Sequence, residues 1–331
     1  TRNTWNTKKG ERGAGIGRIL DPSTDYPAGK IFDGWYWVLL NHMHDILPGS
    51  GIRAVYEDAD RDYAKSRRYG NEVLGAALDS IADKIDTSGA GRPLVLFNAL
   101  SWERDGIVKL PADSLDGNMR VSAPGGAAVP SQVIEEGGEK KLMFVARDIP
   151  PVGYAVYRLL PGDSGGDTEL EISGGAMDNG LVRLSYDNRS GFVTGLEDLR
   201  NGGRQALDAE KGSNYIQVFQ DHPGSSDAWN IALGEELRLD RLSAPEIVET
   251  GPVRTTIKYA YQVGINRFVQ YVSLVEGMPM MYGRIEADWQ ERHKMAKLAF
   301  NFNISNNEVW YNIPYAAISR KSIPETLSEK A

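Results

Sequence analysis

Between Val253 and Val263 the chain alternates without a fault: Val253, Thr255, Ile257, Tyr259, Tyr261 and Val263 are separated one by one by Arg254, Thr256, Lys258, Ala260 and Gln262. Successive side chains on a strand point to opposite faces, so a period of two predicts an extended strand with one face buried. The stretches "RFVQYVSLVEG" and "MYGRIEADW" repeat the habit. The C-terminal half is therefore expected to form large antiparallel sheets stacked as a sandwich. Shorter apolar runs at "LVLF", "IVKL", "LMFVA" and "YAVYRLL" follow Pro93, punctuated by Gly and Pro, and Gly137-Gly138 predicts a hairpin turn. The low-complexity stretch "PGDSGGDTELEISGG" sets a boundary near residue 165.

Before Pro93 the period is helical. From Ile31 to Leu47 almost every residue is apolar, including Trp35, Trp37, Val38, Leu39, Leu40 and Met43, which predicts a helix buried on most sides and ended by Pro48. Ile52, Val55, Tyr56, Ala59 and Tyr63 predict a second helix, with Glu57 and Arg61 as an i, i+4 ion pair. A third is expected from about Asn71, carried by Leu74, Leu78, Ile81, Ala82 and Ile85. The opening "TRNTWNTKKGERGAGIG" shows no clear helical period. The 331 residues exceed one average domain. The expected division is a three-helix bundle in 1–88, a small β domain in 89–165 and a large, incomplete β-sandwich in 166–331, an α+β multidomain class whose two ends read as cut.

Several function classes drop out. No apolar run is long enough to cross a bilayer as a helix. A formal charge of -8 without a basic patch argues against nucleic acid. With no cysteine, any metal must be held by His and carboxylates. The opening residues lack a signal-like apolar core. A cytoplasmic location is the working expectation, and a homo-oligomer is left open.

The candidate chemistry lies in "NHMHDILPGSGI", Asn41 to Ile52. If the helix ran on to Pro48, His42 and His44 would face nearly opposite sides, since successive helical residues advance by about 100°. They could not then share a metal. Asp45, in the last turn where the macrodipole is negative, would want a hydrogen-bond or cation partner. A divalent metal on His44, or a nearby sugar hydroxyl, would supply it. In the alternative, His44 packs in the bundle with Trp37 and Leu40 while Asp45 caps the next turn. "DHPGSSDAW" likewise has two readings: Trp229 as a stacking plane for a sugar with Asp221 or Asp227 accepting from hydroxyls, or Trp229 anchoring a loop whose Asp residues make local turns. His222 and His293 lack a carboxylate at metal-ligand spacing; His293 and Trp289 read as sheet-surface and core residues.

Four ordered segments resemble glycoside hydrolase family 38, the retaining α-mannosidases: "WVLLNHMHDILPGSGIRAVYEDADRDYA", "RPLVLFNALSWERDGIVKLP", "FQDHPGSSDAWNI" and "EADWQERHKMAKLAFNFNI…YNIPYAAISR". The resemblance spans about Ile31 to Arg320 and implies galactose-mutarotase-like supersandwich domains after the bundle. It also implies that His44 is a metal ligand, Asp45 a substrate-contacting carboxylate, and the metal a divalent ion, zinc. His42 does not carry over. The remaining ligands, the aspartate nucleophile and the acid/base would come from an N-terminal barrel upstream of Thr1, and the substrate would be a mannose-containing oligosaccharide. The family usually has Gly where Ala316 stands. The competing class is a non-catalytic carbohydrate-binding or scaffolding β-sandwich module.

Overall fold

A computed structural model describes residues 2–115, 117–227, 229–313 and 315–323, with side chains from Thr7 onward. The chain forms two compact units. The first comprises Thr1–Thr168, Gln220–Gly234 and Gly251–Val253; the second comprises Glu169–Phe219, Glu235–Thr250 and Arg254–Ala331.

The first unit opens with three α-helices: α1 (Arg2–Leu20), α2 (Ala28–Leu40) and α3 (Arg53–Ala82). The number three was expected, but their identities were not. The two helices predicted after Pro48 are one 30-residue helix, α3, and the third is the opening segment, which carries no apolar period. The reason is small-residue packing. A Cβ placed on Gly10 would come 3.1 Å from the Leu74 nitrogen and 3.2 Å from the Gly70 oxygen, and one on Gly13 would come 3.1 Å from the Ala77 Cβ. Thr7 is 2% exposed, wedged against Gly34 and Gly70. An interface made of glycine, alanine and threonine leaves no hydrophobic stripe to read. The buried residues of α3 include Ala59, Ser66, Gly70 and Ala77, so Gly70 is a contact point inside the helix. Ser66 Oγ donates to the Gly34 carbonyl at 2.9 Å, satisfying a buried hydroxyl.

α2 is shorter and far less buried than its sequence suggested. It stops at Leu40, seven residues before Leu47, and only Ile31, Gly34 and Val38 are buried, while Phe32, Tyr36, Leu39 and Leu40 are exposed. Asn41 ends it: its Nδ2 donates to the Trp37 carbonyl at 2.9 Å and approaches Asp62 Oδ2 of α3 at 3.4 Å. The expected Glu57–Arg61 pair is also replaced. Glu57 takes Arg53 at 2.8 Å, and Arg61 pairs with Asp58.

Two small sheets complete the first unit. In one, Arg92–Asn98 pairs antiparallel with Gly153–Pro161, which also pairs with Met119–Ser122. The other sets Glu139–Ile149 between Arg104–Pro111 and Ser131–Glu136. Their shared core includes Val121, Leu142, Phe144, Tyr157 and Leu159. The hairpin at Gly137-Gly138 is present, with Glu136 opposite Glu139 and both glycines at positive φ (63° and 78°), as the tightest hairpin turns require.

The second unit is built of antiparallel strands around one core. A five-stranded sheet running from Glu171–Ser173 to Arg204–Gln205 contributes Met177, Leu184 and Val193; the sheet of Arg254–Val263 and Asn266–Val275 contributes Ile257, Tyr259, Tyr261, Phe268 and Leu274. Ile216 and Val218 belong to the same core. Stacked antiparallel sheets were the expectation. The strand Arg254–Val263 departs from it in one respect, because Arg254, Thr256 and Ala260 on its second face are buried as well. Its polar groups there are matched within the unit: Arg254 Nε and Nη2 each meet a Glu249 oxygen at 2.6 Å, and Thr256 and Ser273 share a hydrogen bond of 2.8 Å. Among the described residues, no helix is long and apolar enough to cross a membrane.

Candidate functional site

The segment Asn41–Ser50 is a series of turns between α2 and α3, not helix. Ile46 and Leu47 N–H both donate to the Met43 carbonyl, at 3.0 and 3.2 Å, and Gly49 (φ 86°) donates to Ile46 at 3.3 Å. The opposed facing of His42 and His44 that a helix would impose therefore does not apply; both are exposed in the turn.

α3 holds this turn at both ends. Tyr63 OH donates to the Asn41 carbonyl at 3.4 Å, and Tyr56 OH donates to the Asp45 carbonyl at 3.1 Å while accepting from Gly51 N–H at 2.9 Å. The two tyrosines stand seven residues, about two turns, apart on one face of α3. Ser50 N–H and Oγ add two further bonds to the Asp45 carbonyl, at 3.1 and 3.3 Å. Neither tyrosine could be assigned this part from the sequence, where both counted only as members of an apolar stripe.

The side chains of His44 and Asp45 project from the fixed backbone. His44 is 79% exposed, so it does not pack in the bundle, and Lys65 lies instead over the Trp37 ring, 3.7 Å from its centroid. Asp45 uses its carbonyl, not its carboxylate, to brace the turn. His44 Nε2 and Asp45 Oδ1 are 3.6 Å apart, and among the described residues neither side chain meets another partner. Two donors on a tetrahedral zinc at ~2.1 Å are about 3.4 Å apart, so this spacing suits a pair serving one ion, or an imidazole on the ion beside a carboxylate on a group bound to it. Among the described residues no three His, Asp or Glu side chains gather where they could hold a metal. An ion at His44 would draw its other ligands from elsewhere.

This arrangement coincides with two family matches in chain order. Residues 13–81 match the alpha mannosidase middle domain, and residues 177–331 match the glycosyl hydrolases family 38 C-terminal domain, together covering more than half of the chain. The chain belongs to glycoside hydrolase family 38. As a family 38 chain it is 28% identical over 311 residues to Alpha-mannosidase 2C1 of Homo sapiens, covering 89% of this chain and 27% of that protein. It is 35% identical over 164 residues to the lysosomal alpha-mannosidase of Dictyostelium discoideum, 42% of this chain and 15% of that one. It thus spans about a quarter of the human relative. A solved family 38 structure from Enterococcus faecalis superposes with a TM-score of 0.74 at 14% identity, over 96% of this chain and 47% of the other, a likeness of fold.

The remaining sequence candidates of this family 38 chain sit apart from the turn in sequence and role. Asp221 closes the strand Tyr215–Asp221, with His222, Asp227 and Trp229 in the exposed segment after it. His293 occupies a turn with φ 54° before the strand Lys294–Ala299, so it is not a sheet position. Trp289 is 39% exposed and meets the buried Phe268 edge-on at 6.3 Å, a rim residue more than a core one. Ala316 opens the strand Ala316–Lys321 opposite Ile313, and the left-handed residue is its neighbour Tyr315 (φ 62°), so alanine fits where the family usually has glycine.

Proposed function

We propose that this chain supplies the helical middle region and the β-sandwich region of a retaining α-mannosidase acting on mannose-containing glycans, and that its turn after α2 carries one metal ligand, His44, and one substrate contact, Asp45. The observation that supports this most is the state of those two side chains: His44 exposed and Asp45 half-buried, 3.6 Å apart, with no partner but each other among the described residues, on a backbone fixed by Tyr56. An imidazole such as that of His44 can offer a lone pair to a divalent cation, and a site built of nitrogen and oxygen donors without thiolate suits zinc. Bound there, zinc would serve as Lewis acid and template for the sugar hydroxyls. The Asp45 carboxylate, an acceptor only when ionised, would take hydrogen bonds from those hydroxyls and fix the ring's orientation.

Retention calls for a nucleophile and an acid/base whose carboxyl groups stand ~5–5.5 Å apart. In this reading both come from residues outside the chain, in keeping with its covering 27% of the human relative. The 331-residue chain should then be inert toward an aryl α-mannoside, with or without zinc. Turnover above a heat-denatured control would overturn the assignment.

A further inference from the structure

The segment between Asp221 and Leu233 was open to two readings, and the position of Trp229 separates them. An anchoring tryptophan would be buried against the sheet, whereas Trp229 is 59% exposed. The segment is braced by other groups. His222 N–H donates to the Ala232 carbonyl at 3.2 Å and Ala232 N–H to Asp221 Oδ1 at 2.8 Å, closing its base. Trp229 and Asn230 N–H both donate to the Ser226 carbonyl, at 2.8 and 3.0 Å, and Asn230 Nδ2 donates to the Ser225 carbonyl at 3.1 Å. Trp229 contributes only its backbone to this frame, and among the described residues its ring meets no hydrogen-bond or aromatic partner.

Two side-chain oxygens of the same segment are also uncommitted among the described residues: Asp221 Oδ2 and Asn230 Oδ1. We infer that Trp229, with Asp221 and Asn230, forms a binding site for a pyranoside ring. One face of a pyranose presents C–H groups of slight positive charge, which suit the negative face of an aromatic ring. Its edge presents hydroxyl donors, which suit oxygens that can only accept or have acceptance to spare. A flat apolar surface with a few placed polar groups is what sugar-sized ligands require, and a turn held by its own backbone spends little ordering on binding. Around the ring, the exposed polar residues Ser225, Ser226, Asp227 and Asn230 stand beside the exposed apolar Ile231 and Leu233.

The inference does not rest on the metal reading of His44; only the choice of a mannoside as probe comes from it. The test is a titration of the 331-residue chain with an α-linked mannobiose, followed by saturation-transfer NMR in the presence of a chelator and repeated on a His44→Ala background. Saturable binding at millimolar sugar is expected in both. Trp229→Ala should weaken it at least about fivefold and Trp229→Phe should restore most of the loss. Asp221→Asn keeps an acceptor for Ala232 and should weaken binding without altering the thermal midpoint. Absence of saturable binding, binding unchanged in both Trp229→Ala and Asp221→Asn, or loss of self-association in Trp229→Ala without any sugar binding would each overturn the site, the last in favour of a protein contact.

Discussion

The phenolic oxygen of Tyr56 bridges two backbone groups of the turn before its own helix: it donates to the Asp45 carbonyl at 3.1 Å and accepts from Gly51 N–H at 2.9 Å. A helix side chain thereby fixes the backbone from which His44 and Asp45 project. Removing the hydroxyl in Tyr56→Phe deletes both bonds and should cost about 1–2 kcal/mol in urea unfolding, since each net hydrogen bond contributes roughly 0.5–1.5 kcal/mol. Hydrogen exchange at Gly51 should accelerate more than exchange in the middle of α3. Unchanged protection at Gly51 would mean that Ser50 alone holds the turn.

Metal binding should follow His44 and ignore His42. A single imidazole leaves most of a tetrahedral zinc shell to water, so the isolated chain should lose zinc on desalting. In a longer enzyme that completes the shell, His44→Ala should remove metal and activity together. His42→Ala, at an exposed turn position, should leave metal, activity and stability near wild type. Elemental analysis of the two variants decides the register: retention of zinc by His44→Ala with its loss in His42→Ala would displace the site.

Two glycines of α3 should respond to alanine with opposite signs. At Gly70 a Cβ would lie 2.9 Å from the Thr7 backbone nitrogen and 3.0 Å from its Oγ1, so α1 must move away. Gly70→Ala should destabilise the chain by about 1–3 kcal/mol despite better helix propensity. At Gly75 nothing lies within 4 Å, and Gly75→Ala should stabilise by up to about 1 kcal/mol. Equal shifts in thermal or urea midpoint for the two variants would show that α1 does not pack closely on α3.

Tyr259 and Tyr261 should resist ionisation while the second unit is folded. Burial raises both phenols above their ordinary value, and each is hydrogen-bonded, Tyr259 with Asn214 at 3.2 Å and Tyr261 to Gln270 at 2.6 Å. A folded-state pKa above the unfolded one favours folding fully below pH ~10, and that contribution is lost as pH rises beyond it. An alkaline titration followed by phenolate absorbance should therefore leave these two of the 15 tyrosines silent until the chain unfolds. Titration of all 15 before the loss of far-ultraviolet circular dichroism would contradict the burial.

Local sterics and periodicity carry part of this fold. The alternation from Val253 to Val263 could only be a strand, because the pleat imposes a period of two whatever surrounds it. Gly137-Gly138 could make a tight hairpin because glycine alone takes positive φ without penalty. The ordered segments around His44, and the family they point to, were legible for the same reason: they are patterns of residue identity. The tertiary structure decided where α2 stops, because its end is set by Asn41 reaching back to Trp37 and across to Asp62, a residue 21 positions away. It decided that α1 exists at all, since an interface of Gly10, Gly13, Gly70 and Thr7 is held by close backbone approach and leaves no hydrophobic signature. It decided, finally, that His44 and Asp45 stand side by side on a turn, because the bonds that hold that turn come from Tyr56, a residue of the following helix, and no local rule of sequence contains a partner eleven residues away.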